Sequence, residues 1–348
     1  MLDGCDIQIS ADMRDSQLSS RKAVLQFQDV FGKENTIENP WPFAVLGAAR
    51  SAVSTPLALL HDIYGITQMS CYSTSAELDD KTRFSTFTRS IPSNSVDALA
   101  MITFLEATGV KYVGVLYVRD SYGTFFFKDL DREAEKRNMR VVGAPYNFGD
   151  SDSVREALQY LKDNDTRHII FVADPSSAQE IVRIGVDLGV AGTPEYSWIL
   201  ALSIDTNIDL DVAQALHGSA MVTLDNEVNL DLEDAMWEFI EDTNMQQEYA
   251  SLHNEPHIFD GRVWTKESPS HFQSFAYDAI IALGLAACQA PNDQFTRAEF
   301  HESLLNTSFE GVTGFVSFNK DTGTRSTEGL RYQILNSLFM GEVNGLGS

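Results

Sequence analysis

Gly47-Ala-Ala-Arg-Ser-Ala-Val-Ser-Thr-Pro-Leu-Ala-Leu-Leu60 follows the short apolar run Phe43-Ala-Val-Leu46. Together they read as a strand, a turn of very small side chains, and a helix with apolar residues at helical spacing. Strand, loop and helix in that order are the repeating unit of a parallel α/β sheet. Ligands of such sheets bind beyond the carboxyl ends of the strands, and Gly47 to Ser51 lies at one of those ends. Small side chains let a ligand approach the backbone. A helix N-terminus offers it unpaired N–H groups and about half a positive charge. Ser51 is expected to cap the helix and present its hydroxyl. Arg50 beside it reads equally as a cation at the site or as a solvated surface side chain. A second loop, Tyr72-Ser-Thr-Ser-Ala-Glu-Leu78, follows the next strand and adds Ser73, Thr74 and Ser75. Two adjacent hydroxyl-rich loops suit a carboxylate.

The same rhythm extends outward. Strands are expected at 7–10, 43–46, 67–70, 112–118, 140–144, 168–173 and 197–201. Helices are expected at 19–31, 51–64, 96–107, 122–137, 154–162 and 176–189. Near-continuous apolar strands separated by helices predict parallel sheets covered on both faces. Beyond about residue 226 the pattern shifts to long helices at 232–247 and 271–290, with strands returning at 315–319 and 330–335. Asn319-Lys-Asp-Thr-Gly323 lacks the later glutamate of a calcium loop and reads as a hairpin turn.

The chain has 348 residues, enough for two domains. Fifty acidic residues against 25 basic give a net charge of −25, which argues against nucleic acid and against an anionic membrane surface. Three cysteines, Cys5, Cys71 and Cys288, exclude a disulfide scaffold. Cys71 and Cys288 lie in apolar surroundings and read as buried thiols. Two sequons, Asn164-Asp-Thr166 and Asn306-Thr-Ser308, lean towards secretion. No secretory leader is legible, and no run reaches the ~18 apolar residues of a membrane helix.

Beyond these patterns, the stretch from Gly47 to Asn94 resembles the ligand-binding ectodomains of class C G-protein-coupled receptors. These are Venus flytrap modules, akin to bacterial type I periplasmic binding proteins. The resemblance rests on Gly47-x-x-x-Ser51-x-Val-Ser54, Ile66-Thr-Gln-Met-Ser70, Ser73-Thr-Ser-Ala-Glu-Leu-Asp-Asp-Lys-Thr-Arg-Phe84 and Phe87-Thr-Arg-Ser-Ile-Pro-Ser93. Ser121-Tyr-Gly123, Leu188-Gly-Val190, Tyr196-Ser-Trp-Ile199, Ala276-Tyr-Asp-Ala279 and Gly311-Val-Thr-Gly-Phe-Val-Ser-Phe318 continue it in order, and Ala11-Asp-Met-Arg-Asp-Ser16 precedes it. The RFSTFTRSIPS segment is most similar to GABA-B receptors. The Arg-Asp-Ser and Ser-Tyr-Gly segments resemble metabotropic glutamate receptors.

The resemblance implies two Rossmann-like α/β lobes with parallel sheets, joined by a three-strand hinge. Lobe 1 would comprise 1–91 and 227–329, and lobe 2 92–226 and 330–348. The family's first strand and helix would precede Cys5. Carried over residue by residue, Ser51 would contact the ligand carboxylate, with Ala49 and Arg50 beside it. Thr74 would do so from the second loop, with Ser73 adjacent. Asn94 stands where glutamate receptors have an aspartate, and Tyr122 would close over the ligand. Two positions depart from glutamate receptors. The aspartate that holds the ammonium falls on Leu202, with Asp205 the nearest carboxylate. The lysine of the distal end falls on Glu299, with Arg297 near.

The implied function is an extracellular receptor module at the plasma membrane. It would close around a small amino-acid-like or carboxylate ligand, pair with another such module, and signal to a membrane segment outside this sequence. A soluble binding protein serving a transporter, or the ectodomain of a guanylate-cyclase-type receptor, would use the same lobes. The sequence carries no G-x-S-x-G, H-E-x-x-H, G-x-x-x-x-G-K-[ST] or G-x-G-x-x-G pattern. No enzyme activity, metal or cofactor is therefore expected.

Overall fold

The computed structural model describes residues 10–12, 14–36, 40–173, 177–201, 209–225, 231, 234, 235, 237, 238, 271–289, 295–328 and 330–336. The chain is an α/β protein with mostly parallel sheets, and it divides into two compact units. Among described residues, unit 1 draws on Met1–Ser73, Leu78–Pro92 and Asn226–Gly329. Unit 2 draws on Thr74–Glu77, Ser93–Asp225 and Leu330–Ser348. The short Thr74–Glu77 segment, expected in lobe 1, therefore groups with unit 2.

In unit 1 the first helix, α1 (Ser20–Phe31), starts at Ser19, whose side chain accepts from the Lys22 N–H. Strand β1 (Ala44–Leu46) leads into α2 (Ser51–Tyr64). Pro56 lies inside α2 and cannot donate to the Ala52 carbonyl. The Ser20 hydroxyl takes up that carbonyl at 2.8 Å and ties α1 to α2. Gly65, with φ 64°, ends α2 in the left-handed conformation that glycine adopts without strain. Strands β2 (Thr67–Ser70) and β3 (Phe87–Arg89) complete a parallel sheet in the order β1-β2-β3. A 3-10 turn, Ala76–Asp79, lies between them in sequence.

Later in the chain, α8 (His271–Cys288) and α9 (Arg297–Asn306) precede an antiparallel pair, β9 (Ser308–Gly311) and β10 (Gly314–Ser317). Met69, Ala279, Ala282, Ala286, Phe300, Leu304 and Val316 form one core of unit 1. Phe27, Phe31, Val53, Leu57 and Ile66 form another. Cys288 is held in a disulfide and Cys71 is a free thiol. The expectation of two buried thiols is corrected for Cys288, because its place in an apolar run carries no signal of a bonding partner.

Unit 2 holds a six-stranded sheet in the order β11-β8-β7-β6-β4-β5. Its strands are β4 (Tyr112–Val118), β5 (Arg140–Tyr146), β6 (His168–Val172), β7 (Ser197–Leu200), β8 (Ala220–Asp225) and β11 (Arg331–Asn336). All pairs are parallel except β11 with β8. Helices α3 (Asn94–Ala107), α4 (Ser121–Glu135), α5 (Ser151–Asp163), α6 (Ala178–Asp187) and α7 (Leu210–Ala215) accompany it.

Strand side chains alternate between faces. Leu116, Ile169, Phe171 and Trp198 join α5 and α6 on one side. Val113, Val115, Ile170 and Ile199 join α3 and α4 on the other. Two buried faces explain the unbroken apolar runs of these strands. Most of the expected strand at 7–10 and most of the expected helix at 232–247 lie outside the described residues.

Candidate functional site

The small-residue turn after β1 is built by hydroxyls. The Ala48 carbonyl receives the side chains of Ser54, Ser70 and Ser73 at 3.0, 2.9 and 3.1 Å. The Ala48 N–H donates back to Ser54 Oγ at 3.1 Å. Ser73 Oγ also lies 2.8 Å from Ser54 Oγ and 3.2 Å from the Ala49 carbonyl.

The Gly47 carbonyl accepts from Gln68 Nε2 at 2.8 Å, and the Gly47 N–H donates to the Met69 carbonyl at 2.7 Å. With its NH2 committed to Gly47, Gln68 presents Oε1 to His61 Nδ1 at 3.0 Å. His61 therefore donates from Nδ1, and burial lowers its pKa below the ordinary value. The bared backbone of Gly47 and Ala48 is thus gripped by the protein's own side chains.

Among the expected contacts of unit 1, Ser73 is fully buried and its hydroxyl is enclosed in this cluster. Its visible work is to hold the turn. Ser51 is not the cap of α2. That position is Arg50, in extended conformation, with no capping hydrogen bond from its side chain. Ser51 is the first helical residue, 3% exposed, and its carbonyl accepts from Thr55 Oγ1 at 2.9 Å. Ala49 is exposed and Arg50 half-buried.

Glu299 closes a capping box with Thr296 at the start of α9, and those hydrogen bonds hold its carboxyl below the ordinary range. Arg297 packs over the Trp41 and Phe43 rings at 5.8 and 5.7 Å. Both side chains near the expected distal position therefore serve the end of α9. Leu202 and Asp205 lie outside the described residues.

Unit 2 carries the others. Thr74 is half-buried, and its carbonyl accepts the Asn94 N–H at 2.9 Å. No hydrogen bond reaches the Thr74 hydroxyl among the described residues. Asn94 is the first residue of α3 and is 0% exposed. Neither Oδ1 nor Nδ2 of its amide has a hydrogen-bond partner among the described residues. Buried polar groups are almost always paired, and each exception calls for an explanation.

Further along the chain, Ser121 opens α4 and donates to Glu77 Oε2 at 2.7 Å, and Ser75 donates to the Ser121 carbonyl at 3.0 Å. These bonds place the Thr74–Glu77 segment in unit 2. Tyr122 follows Ser121, half-buried, with its ring edge-on to Phe126 at 5.8 Å.

Sequence reasoning missed the buried ions that shape unit 1. Arg89 on β3 is 0% exposed and pairs with Asp79. Its Nε donates to Thr324 Oγ1 at 2.9 Å and a terminal nitrogen donates to the Ser73 carbonyl at 3.0 Å. The guanidinium thereby fixes where the second loop leaves its strand. Asp278 on α8, also 0% exposed, accepts from the Val312 and Thr313 N–H groups at 2.8 and 3.0 Å. Burial raises its pKa above the ordinary value. Arg325 donates to the Thr313 and Phe315 carbonyls at 2.7 and 3.0 Å. Both lie in segments that carry the family resemblance, Phe87-Thr-Arg-Ser and Ala276-Tyr-Asp-Ala279, but nothing in those segments shows their distant partners.

Comparison with known proteins agrees with this architecture. Residues 3–337 match the family model described as "Receptor family ligand binding region". The metabotropic glutamate receptor of Drosophila melanogaster is 27% identical over 214 residues, covering 59% of this chain and 21% of the relative. The gamma-aminobutyric acid type B receptor subunit 2 of Caenorhabditis elegans is 25% identical over 296 residues, covering 80% of this chain and 33% of the relative. The extracellular calcium-sensing receptor of Homo sapiens is 32% identical over 143 residues, covering 41% and 12%. The chain thus spans a third or less of the length of these receptors. With the match running over nearly its whole length, the chain belongs to the receptor ligand-binding-region family, whose relatives here are class C G-protein-coupled receptors.

Proposed function

We propose that the chain is the extracellular ligand-binding module of a cell-surface receptor. Its ligand is a small amino-acid-like or carboxylate compound, and closure around that ligand is passed to a membrane segment beyond this sequence. The observation that carries this reading is the Asn94 amide. An unpaired buried polar group costs about 1–3 kcal/mol, and Asn94 has one at each end of its amide. A chain that keeps such a group gains from it when something else binds there.

The Asn94 Nδ2 and the Thr74 hydroxyl can donate to a carboxylate. Asn94 Oδ1 can accept from an ammonium or amide N–H. The two residues are already tied by the Asn94 N–H to Thr74 carbonyl bond. Tyr122, in the same unit, adds a contact in the bound state. A neutral asparagine in this role makes a strongly cationic group a poorer fit than a polar one.

The module pairs with a second such module. In its support, α2 turns an uncharged stripe outward. Leu59 and Ile63, one turn apart, are 43% and 75% exposed, in a chain of net charge −25.

A thermal-shift screen of amino acids, GABA-like compounds and simple carboxylates tests the proposal. A true ligand at 100 times its Kd stabilises the fold by about 2.7 kcal/mol, and Thr74→Val and Asn94→Ala should each suppress the shift. If no compound of these classes moves the melting point, the ligand assignment fails.

A further inference from the structure

We propose that Asn306 is an N-glycosylation site. Cys288 is held in a disulfide, and disulfides form in oxidising compartments, where oligosaccharide transfer also takes place. Of the two sequons, the one at Asn306 is exposed where the sugar would attach. Asn306 is the last residue of α9 and is exposed, as is Ser308, whose hydroxyl completes the sequon.

The geometry around the Asn306 amide tolerates the modification. Nδ2 donates one proton to the Glu302 carbonyl at 2.9 Å, and Lys320 donates to Oδ1. In the transfer, a cellular transferase joins Nδ2 to the sugar's C1. The bond from C1 to the oxygen of a lipid-linked pyrophosphate breaks, the pyrophosphate leaves with the electron pair, and Nδ2 gives up one proton. The product keeps one N–H for Glu302 and the carbonyl oxygen for Lys320.

Asn164 offers less room. It is half-buried at the end of α5, and its carbonyl accepts the Tyr112 hydroxyl at 2.9 Å. Arg140 covers the Tyr112 ring at 5.1 Å. Thr166 of that sequon is 0% exposed, with its hydroxyl donated to the Leu161 carbonyl at 2.9 Å. The sugar on Asn306 would stand beside β9, whose single partner among the described residues is β10. It would shield that short edge from pairing with other chains.

The test is secretion of the chain from a eukaryotic cell line, with peptide mass mapping before and after enzymatic removal of N-glycans. The expected result is a glycan on the Asn306 peptide, absent in both Asn306→Gln and Ser308→Ala and retained in Asn164→Gln. The second variant removes the sequon without touching the asparagine. An unmodified Asn306 in the secreted chain overturns the proposal, whatever Asn164 carries. The readout is independent of ligand binding, so its failure would leave the functional proposal standing.

Discussion

Replacing Asn94 by alanine should make the ligand-free protein more stable and the ligand-binding protein worse. The amide buries two unpartnered polar atoms at the start of α3. Removing them recovers about 1–3 kcal/mol for each group. The space left by a carboxamide, on the order of 40 Å³, costs about 1 kcal/mol. Alanine is also the better helix former by about 0.6 kcal/mol. The net expectation is a gain of about 2–6 kcal/mol, read as a melting point higher by several degrees. Loss of the same amide from a bound ligand should weaken binding about 10- to 100-fold. Differential scanning calorimetry of both proteins, with and without ligand, measures the two effects together. If the ligand-free variant melts below the wild type, the amide is already satisfied in the empty protein and the reasoning about Asn94 is wrong.

Arg89→Met removes a buried partner of Asp79 and the donor to the Ser73 carbonyl. It should cost about 3–5 kcal/mol in urea unfolding, whereas Arg183→Met, at an exposed pair with Asp209 and Asp211, should cost under about 1 kcal/mol. Equal losses would place Arg89 among ordinary surface ions. Burial pulls the His301 imidazole down from 6.5 to about 4. Between those values only the unfolded chain takes up the proton. His301 therefore contributes fully above about pH 6.5, and roughly 3 kcal/mol is lost as pH falls towards 4. The pH dependence of the unfolding midpoint should flatten over that range in His301→Gln, and an unchanged profile would exclude the histidine. Ile63→Asp, which places a charge on the outward stripe of α2, should shift sedimentation from dimer to monomer without changing the melting point by more than about 1 °C. A wild type that sediments as a monomer would remove the stripe from consideration.

Elements whose side chains obey one period were legible in the sequence. Strand β4 alternates between two apolar faces, and the run Tyr112–Val118 announces it. Helix α2 is bracketed by the small-residue turn and Gly65, so Ser51–Tyr64 could be read directly. Strand β3 was not legible, because Phe87–Arg89 is short and ends in an arginine that only its distant partners make acceptable. One of them, Thr324, lies 235 residues away. The same holds for Asp278 and its anchor at Val312 and Thr313.

At the candidate site, residue types marked the two loops, but not which hydroxyls face inward. Ser73 and Thr74 are neighbours in sequence. The first is fully buried against Ser54 and the Ala48 carbonyl, while the second has no bond to its hydroxyl among the described residues. Alternation along the chain separates them, and no composition rule could. Helix α9 was missed because Glu299, which closes its capping box with Thr296, was read against a ligand-contact position instead.

Calorimetric titration of an amino-acid-like ligand into the wild type and Thr74→Val bears most directly on whether this chain is a receptor's ligand-binding module. Saturable one-site heat in the wild type, with affinity reduced at least about tenfold in the variant, is the predicted result. The same heat from both proteins, or none from either across amino acids and carboxylates, would contradict it.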